Sequence, residues 1–417
     1  LTYVGKCSVC IFYSVKKMST DKSNTDIYRF KLFLFEKVKP EITADPPNVP
    51  KPRSGHRIVC NSHSLYSFGG YNPFIPDDEP WLRNDPEWLE TKPLFKELWS
   101  FNFATRTWKS LQCKGEVPRE LASNAVLLAG NTLMVYGGAG YPFGSFSSNK
   151  LYVCNVGDYG QMQLVETRGS KPLKQYGQAL VLHGTHLYTV GGTTGYEFTA
   201  DVHRLDLSTG VWEDVHTCSG GLSEMPEGRY RHELAFDGTR IYVLGGGTAM
   251  QVFGLNVVPV FNVESRLWER FPTHPDPKAT PPGFPEPRRC HGAAQRGAFV
   301  FICGGYNGRK VFNDVWRLHL PTGQWTLMKR CRLPEPVFFH SAAVTPAGRL
   351  YSFGGISMTD ANPERNADIQ SAWLDVPSLA EMCWEAVVYY SPNLGAYSRE
   401  HLRHAGFPAQ YIDRIHT

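Results

Sequence analysis

The chain has 417 residues, of which 42% are hydrophobic and 20% are charged; this composition supplies a sizeable core and excludes a disordered polymer. The formal net charge is +4, and Lys and Arg are dispersed rather than clustered, which argues against a nucleic-acid partner. The sequence contains no apolar run of about 18 residues, so it predicts no transmembrane helix and no membrane partner.

The ten cysteines show neither a disulfide framework nor a metal-binding pattern. Cys7 and Cys10 form the one Cys-x-x-Cys pair, and no second pair follows to complete a zinc site, so we expect no metal. Reduced cysteines are typical of cytoplasmic and nuclear proteins, and we expect this protein in those two compartments.

The N-terminal residues differ from the rest of the chain. Residues 1–25 mix basic and apolar residues, resemble a signal peptide only weakly, and include Met18 as a candidate natural start. We expect residues 1–25 to be a disordered extension. The next segment, 27–38, reads IYRFKLFLFEKV and has the alternation of a β-strand.

A pair of glycines follows a short apolar run six times along the chain. The six pairs are Gly69-Gly70, Gly137-Gly138, Gly191-Gly192, Gly245-Gly246, Gly304-Gly305 and Gly354-Gly355. Another apolar run and a tight turn precede each pair. After most pairs come a third run, a turn and a tryptophan, as in the segments that end at Trp212 and Trp325. Each unit therefore predicts four short antiparallel strands.

These units resemble the kelch repeat, and six of them imply an all-β fold, a six-bladed β-propeller over residues 26–376. The paired glycines let neighbouring strands approach closely, and the tryptophan fills the wedge between adjacent blades. The second unit departs from the pattern because it lacks the closing tryptophan. Since a closed ring must hide its last edge, we expect the segment 27–38 to be the outer strand of the last blade.

The first strand of each unit begins with four positions that can be aligned. The segments are RSGH (53–56), LASN (121–124), QYGQ (175–178), RYRH (229–232), RRCH (288–291) and VFFH (337–340). Histidine recurs at the fourth position too regularly for catalysis. We therefore interpret these imidazoles as structural groups that bond the backbone. They are His56, His232, His291 and His340.

In kelch propellers the second position and the residue after each glycine pair face the central mouth. The second positions are Ser54, Ala122, Tyr176, Tyr230, Arg289 and Phe338, and the residues after the pairs are Tyr71, Ala139, Thr193, Thr248, Tyr306 and Ile356. The resemblance thus implies an aromatic pocket with one inward arginine. Rings that pack on a peptide and a guanidinium that takes a carboxylate suit a protein C-terminus, so we expect Arg289 to bind that carboxylate.

Further residues bear on the location of this pocket. Arg229 and Arg288, at the first position of their segments, reach the rim in one interpretation and form outer salt bridges in an equally good one. Known relatives carry paired arginines directly after a glycine pair, whereas Tyr306 and Val311 stand at the matching places here. The insertion 71–95 leaves from the same mouth, and we expect Trp81 or Trp88 to cover part of the pocket.

The segment after residue 376 predicts a helix. Ser378 and Glu381 have the spacing of a capping box, and Leu379, Cys383 and Val387 share one stripe at four-residue spacing. This stripe resembles the BC box, in which the leucine enters a pocket of elongin C and the small, apolar thiol packs beside it. The alternative is that CWEAVVYY is the closing strand of the sixth blade and the rest is a frayed tail.

A second motif follows near the C-terminus. FPAQYIDRI resembles the cullin-2 box, with its members at Phe407, Pro408, Tyr411 and Ile415. Ser398 as a cap and Gly406 as a stop predict a short helix between the two boxes. Residues 377–417 are therefore expected to be a helical docking tail.

A propeller followed by these two boxes resembles the kelch-domain substrate receptors of cullin-2 ubiquitin ligases. The resemblance implies a non-catalytic subunit without a cofactor. It would bind elongin C, elongin B and cullin-2 with its RING subunit, and would capture substrate C-termini, often ending in glycine, for ubiquitination and degradation. The main alternative is a scaffold or cytoskeletal kelch protein without ligase recruitment. An enzymatic propeller is disfavoured because no copper ligands, catalytic triad or carboxylate pair converge on the predicted mouth.

Overall fold

The computed structural model describes residues 27–42, 48–74, 93–111, 113–157, 161–218, 226–279, 283–359 and 362–416. Several expectations lie outside these residues: the extension 1–25 with its Cys7–Cys10 pair and Met18, and the two tryptophans Trp81 and Trp88. In the described part of the chain, no helix is long and apolar enough to span a membrane.

Six antiparallel sheets of four consecutive strands form the six blades, with the innermost strand first. Blade 1 has Arg57–Cys60, Ser64–Phe68, Leu98–Asn102 and Trp108–Leu111; blade 2 has Ala125–Ala129, Thr132–Tyr136, Leu151–Asn155 and Gln161–Val165; blade 3 has Ala179–His183, His186–Thr193, Phe198–Asp206 and Val211–His216. Blade 4 has Glu233–Phe236, Arg240–Leu244, Val257–Asn262 and Leu267–Pro272; blade 5 has Gly292–Arg296, Phe299–Cys303, Val315–His319 and Gln324–Leu327; blade 6 has Ser341–Val344, Arg349–Phe353, Ile369–Trp373 and Glu36–Val38.

The blades close into a ring. Each innermost strand lies beside that of the next blade, and the innermost strand of blade 6 lies beside that of blade 1. The expected six-bladed kelch propeller is therefore confirmed. Two short strands, Lys114–Gly115 and Arg168–Gly169, add parallel edges to blades 2 and 3. Above blade 6, Val337–Phe338 pairs with a hairpin of Ile356–Thr359 and Asn362–Arg365.

The outer strand of blade 6 comes from the N-terminal segment. Glu36, Lys37 and Val38 pair antiparallel with residues 369–371 of the third strand. Within 27–38 the strand itself is limited to Glu36–Val38, and Leu32 makes one parallel bridge to Trp373. The first and last segments of the propeller thus share one sheet, which covers the edge that an open ring would expose.

The glycine pairs allow adjacent blades to approach closely. Gly69 has a φ of +71°, and a Cβ on it would lie 2.3 Å from the carbonyl oxygen of Leu121 in the next blade. The tryptophans fill the wedges: Trp325 of blade 5 is fully buried and its indole donates to the Leu255 carbonyl of blade 4 at 3.1 Å. The repeated residues therefore act at contacts between blades.

The C-terminal tail folds into three short helices, α1 (Leu379–Tyr390), α2 (Arg399–His404) and α3 (Ala409–Ile415), with a 3-10 turn at Leu394–Ala396. The stretch CWEAVVYY lies in α1, which excludes the interpretation of it as a closing strand. The tail has its own apolar cluster, and Ala104 of blade 1 packs against that cluster. The tail thus rests on the propeller at blade 1.

Candidate functional site

The six units meet at the mouth with one shared register. In each blade, the second position of the first-strand segment pairs with a residue just after the glycine pair: Ser54–Tyr71, Ala122–Ala139, Tyr176–Thr193, Tyr230–Gly247, Arg289–Tyr306 and Phe338–Ile356. In blade 4 the partner is Gly247, which corrects the expected Thr248. The aligned positions are therefore equivalent in space.

The third position of each segment forms a ring around the propeller axis. All six third-position residues have φ between +55° and +69°, and each N–H donates to the carbonyl of the third-position residue in the preceding blade, at 2.7 to 3.1 Å. These residues, called the axial ring below, are Gly55, Ser123, Gly177, Arg231, Cys290 and Phe339. The sequence analysis missed this position. Its signal was glycine in two of six units, since a positive φ favours glycine.

A cavity of about 270 Å³ opens above the axial ring and is called the mouth below. Its lining joins residues of the second and third positions with two from outside the segments. The lining consists of Ser54, Gly55, Tyr71, Ala122, Ser123, Phe143, Tyr176, Tyr230, Arg231, Phe339, Ile356 and Arg365. Four of the expected substrate residues are thus brought together here: Ser54, Tyr71, Tyr176 and Tyr230.

Arg231 lies in the floor of the mouth and is 7% exposed. Its guanidinium reaches from blade 4 to Ser123 of blade 2, to which it donates a hydrogen bond, and it lies 4.6 Å from the ring centre of Phe339. The Nε atom is buried and has no hydrogen-bond partner in the described part of the protein. Burial lowers the pKa of Arg231. A cation in this state favours an anion as its partner.

Arg365 is the second cation of the mouth. It lies on the hairpin above blade 6, and its Nε donates to Ser54 Oγ at 3.0 Å and to the Tyr71 carbonyl at 3.2 Å. Its guanidinium carbon is 5.1 Å from the ring centre of Tyr71. This residue stands outside the aligned segments, so the alignment could not indicate it.

The expected carboxylate clamp, Arg289, does not line the mouth. Its guanidinium donates to the Thr248 carbonyl and lies 5.9 Å from the ring centre of Tyr230. Tyr306 and Phe338 line a separate groove of about 510 Å³, together with Arg309, Val311, Pro336, Met358 and Pro363. The three residues are therefore corrected from the pocket to its surroundings.

Arg229 is also corrected, because it is 5% exposed and faces neither the mouth nor the outer surface. Its Nη1 donates to the Gly245 carbonyl at 3.1 Å, and its guanidinium lies 4.0 Å from the ring centre of Phe253. Arg53 and Arg288 make the same bond to the first glycine of their own units. Arg288 also forms the bidentate salt bridge with Asp314. First-position arginines therefore hold the glycine pairs in place.

Fourth-position side chains bond the preceding blade, as expected. His56 Nε2 lies 3.0 Å from the Phe353 carbonyl, and His232 Nε2 lies 3.1 Å from the Val190 carbonyl. Gln178 of blade 3 makes the corresponding bond to the Tyr136 carbonyl at 3.3 Å. Burial lowers the pKa of His232 to about 3 and that of His340 to about 4. The interpretation as structural imidazoles is confirmed for His56 and His232.

In the tail, the stripe of α1 is divided between surface and core. Leu379 is 65% exposed, Cys383 is half-buried, and Val387 is 5% exposed within the tail cluster. Ser378 caps the helix by accepting from the Glu381 N–H at 3.3 Å. The Glu381 carboxylate does not complete a reciprocal capping box but binds Arg414 of α3 with two bonds of 2.8 and 2.6 Å.

The expected cullin-2 contacts are mostly inside the tail. Phe407, Tyr411 and Ile415 are at most 9% exposed and belong to the tail cluster, while Pro408 is half-buried at the start of α3. In this structure their side chains hold the three helices together, which corrects the expectation of a contact surface made by these rings and methyl groups.

One carboxylate fastens α1 to the propeller. Glu385 pairs with Arg349 of blade 6 and accepts from the indole of Trp373 at 3.2 Å and from the hydroxyl of Tyr28 at 3.4 Å. Asn102 of blade 1 donates to the Arg414 carbonyl at 2.9 Å. The tail therefore has a defined orientation on the ring. Within the described residues, no group of three or more His, Cys, Asp or Glu could hold a metal ion.

Comparison with known proteins agrees with this architecture. The KLHDC2/KLHL20/DRC7 Kelch-repeats domain matches residues 16–246, and the Attractin/LZTR1 beta-propeller matches residues 133–401. Kelch domain-containing protein 10 of Rattus norvegicus is 45% identical over 88% of this chain and 86% of its own length. The Kelch domain-containing protein 10 homolog of Drosophila melanogaster is 39% identical over 99% of this chain and 70% of its own. Kelch domain-containing protein 1 of Mus musculus is 25% identical over 75% of this chain and 78% of its own.

Proposed function

The chain belongs to the family of Kelch domain-containing protein 10, a family of kelch propellers that act in protein interaction, and we propose that it is a substrate receptor of an elongin BC–cullin-2 ubiquitin ligase. The mouth captures the C-terminus of a substrate, and the tail joins elongin C, elongin B and cullin-2 with its RING subunit. The subunit performs no chemistry of its own, and it acts in the cytoplasm and the nucleus.

The observation that carries the substrate half is Arg231. Its buried guanidinium has an unpaired Nε at the floor of a cavity whose walls are largely aromatic. A terminal carboxylate would supply the missing acceptor and would be held strongly, because the charge-assisted bond forms away from water. Arg365 adds a second cation at the wall.

The preferred end residue follows from the crowding of this floor. Ser123 and Phe339 both contact the Arg231 guanidinium. A terminal glycine brings its carboxylate to Arg231 without a Cβ that would meet these neighbours. The receptor therefore prefers glycine-ended substrates.

Support for the ligase half comes from Leu379. A leucine that is 65% exposed on the first turn of a capped helix would bury about 1.5–3 kcal/mol of apolar side chain in a partner's pocket. The small side chain of Cys383 lies one turn along the same stripe and leaves room for a close approach.

Binding of peptides tests the substrate half. A fluorescent peptide pool, randomised except for a C-terminal glycine, should bind the purified protein as the free acid and lose at least about tenfold in affinity as the C-terminal amide. Equal binding of acid and amide would contradict capture by the carboxylate.

Co-purification with elongin C tests the ligase half. Leu379→Ser should abolish capture of elongin C, whereas Val376→Ser, at an exposed apolar residue just outside the helix, should not. If wild-type protein binds the peptides and does not bind elongin C, the scaffold function without ligase recruitment replaces the proposal.

A further inference from the structure

A second layer lies below the axial ring, where the six innermost strands begin. The first residues of these strands are Arg57, Ala125, Ala179, Glu233, Gly292 and Ser341. Four of the six are small. The other two carry opposite charges.

These two charges meet across the propeller axis. Arg57 is in blade 1 and Glu233 is in blade 4, and three steps around the ring separate these blades in either direction. Arg57 Nη1 nevertheless donates to Glu233 Oε1 at 2.5 Å, and the two side chains are 13% and 16% exposed. The pair, called the crossbar below, therefore spans the central channel.

The crossbar lies next to the floor of the mouth. Glu233 follows Arg231 by two residues on the same segment, and Arg57 follows Gly55 of the axial ring by two residues. The Arg231 guanidinium approaches Gly55 closely enough that a Cβ on that glycine would be 3.1 Å from Nη2. Burial lowers the pKa of Arg231, the charge of Arg57 lowers it as well, and the charge of Glu233 raises it. Arg231 and the crossbar thus act on one another.

Resting on the proposed function, we propose that Arg57 determines the specificity of the mouth by holding the Glu233 carboxylate across the axis and away from Arg231. The Arg231 guanidinium is then left for the carboxylate of an incoming chain. The crossbar also blocks the channel below the axial ring, so a peptide cannot thread through and must end at Arg231. Arg57 is a positioning residue, because it acts through Glu233 and Arg231.

The two halves of the crossbar should have opposite effects on binding. Without Arg57, the buried Glu233 carboxylate lacks its partner and turns to Arg231, where it competes with the substrate from within the protein. Without the Glu233 charge, Arg57 remains as a second cation below the floor and no internal competitor exists. A pair with a purely structural role would weaken the mouth when either half is lost.

The glycine-ended peptide pool, as free acid and as amide, is the probe, and the full chain is the protein. Arg57→Met should lower the affinity for the acid at least tenfold, Glu233→Gln should keep or raise it, and the double variant Arg57→Met with Glu233→Gln should bind within threefold of wild type. Arg57→Lys should retain most of the affinity, because an ammonium group can also hold Glu233.

Equal losses in the two single variants, or a loss above tenfold in the double variant, would overturn this role of Arg57. Melting temperatures identify variants that fail to fold; should Arg57→Met be one of them, the Glu233→Gln and double variants decide, since neither is expected to bind less than threefold below wild type. If wild-type protein binds neither form of the probe, the proposed capture of C-termini fails, and the role of Arg57 fails with it.

Discussion

In the mouth, the side chain with an unpaired polar atom is Arg231, which is buried at the bottom of a cavity, whereas in the tail the most exposed large apolar side chain is Leu379, on the outer face of a helix. The mouth thus presents a charge that a ligand must reach and desolvate. The tail presents an apolar surface that a partner must cover. The first depends on electrostatics in a dry site and the second on burial of apolar area.

The two regions also divide binding and folding differently. In the axial ring, the backbone supplies the repeated structure, and the third-position side chains are free to vary from glycine to arginine. In the tail, residues of one helical stripe have opposite tasks, since Leu379 is exposed and Val387 packs in the cluster. A substitution in the mouth should therefore change binding alone, while one in the tail can change binding, folding or both.

The largest expected effect separates Arg231 from Arg289. Arg231→Met should weaken binding of the glycine-ended pool by ~2–5 kcal/mol, or about 30-fold to several-thousand-fold, because a buried carboxylate loses its charged partner. Arg289→Met, whose guanidinium lies outside the mouth, should change binding by less than about threefold. Fluorescence polarisation measures both.

Combining Arg231→Met with an amidated peptide provides the control for that result. Each change removes the same interaction, so the two together should cost much less than their sum. Additive losses, or a larger effect at Arg289, would return the carboxylate to the position that the sequence indicated.

The next effect separates core from surface within the tail. Ile415→Ala should destabilise the tail by about 2–5 kcal/mol, because Ile415 is 4% exposed and its loss leaves a cavity among the helices. Leu379→Ala should change the free energy of tail unfolding by less than about 0.5 kcal/mol while it abolishes elongin C binding. Hydrogen exchange of the tail amides and elongin C capture are the two measurements. Stable tail amides in the Ile415 variant would mean that its side chain is a contact residue after all.

Acidification tests the ring rather than the tail. The pKa of His232 is lowered to about 3 in the folded protein, below its unfolded value of about 6.5, so below pH 6.5 the unfolded chain binds a proton that the folded chain does not. Folding stability should therefore fall as the pH decreases from 6.5 toward 3, by about 2 kcal/mol at pH 5 for this histidine.

His232→Gln is the matched variant for the pH dependence, because Gln178 already makes the corresponding bond in blade 3. Denaturant unfolding at pH 7 and pH 5 should show a difference about 2 kcal/mol smaller in the variant than in wild type. An unchanged difference would show that His232 is not kept neutral by the fold.

The repeated features could be predicted from the sequence because they recur. Glycine pairs and closing tryptophans fix the blades, and the need to cover an edge strand placed Glu36–Val38 beside blade 6. The position that lines the floor could not be chosen in this way. In RYRH, Arg229 and Arg231 look alike in sequence, and their roles differ because the axial ring turns the third position inward with a positive φ.

The limits in the tail have another physical cause. A four-residue spacing predicts that Tyr411 and Ile415 share a face of a helix, but core and contact faces have the same spacing. The structure distinguishes them because Trp384 of α1 stacks on Tyr411 at 4.8 Å between ring centres. That packing depends on how α1 and α3 are arranged, which no local pattern contains.

The smallest expected effect concerns the cap of α1, and it tests whether the exposed leucine depends on a fixed helix end. Ser378 accepts from the Glu381 N–H, and Leu379 is the first residue of the helix. Ser378→Ala should cost about 1 kcal/mol of helix stability and let the first turn fray, which lowers elongin C affinity by about fivefold. Ser378→Asp should restore the affinity, because its carboxylate caps the same N–H and favours the helix dipole. If the alanine variant binds elongin C as wild type does, or the aspartate variant binds as weakly as alanine, Leu379 binds independently of the cap, and the tail is less preorganised than the mouth.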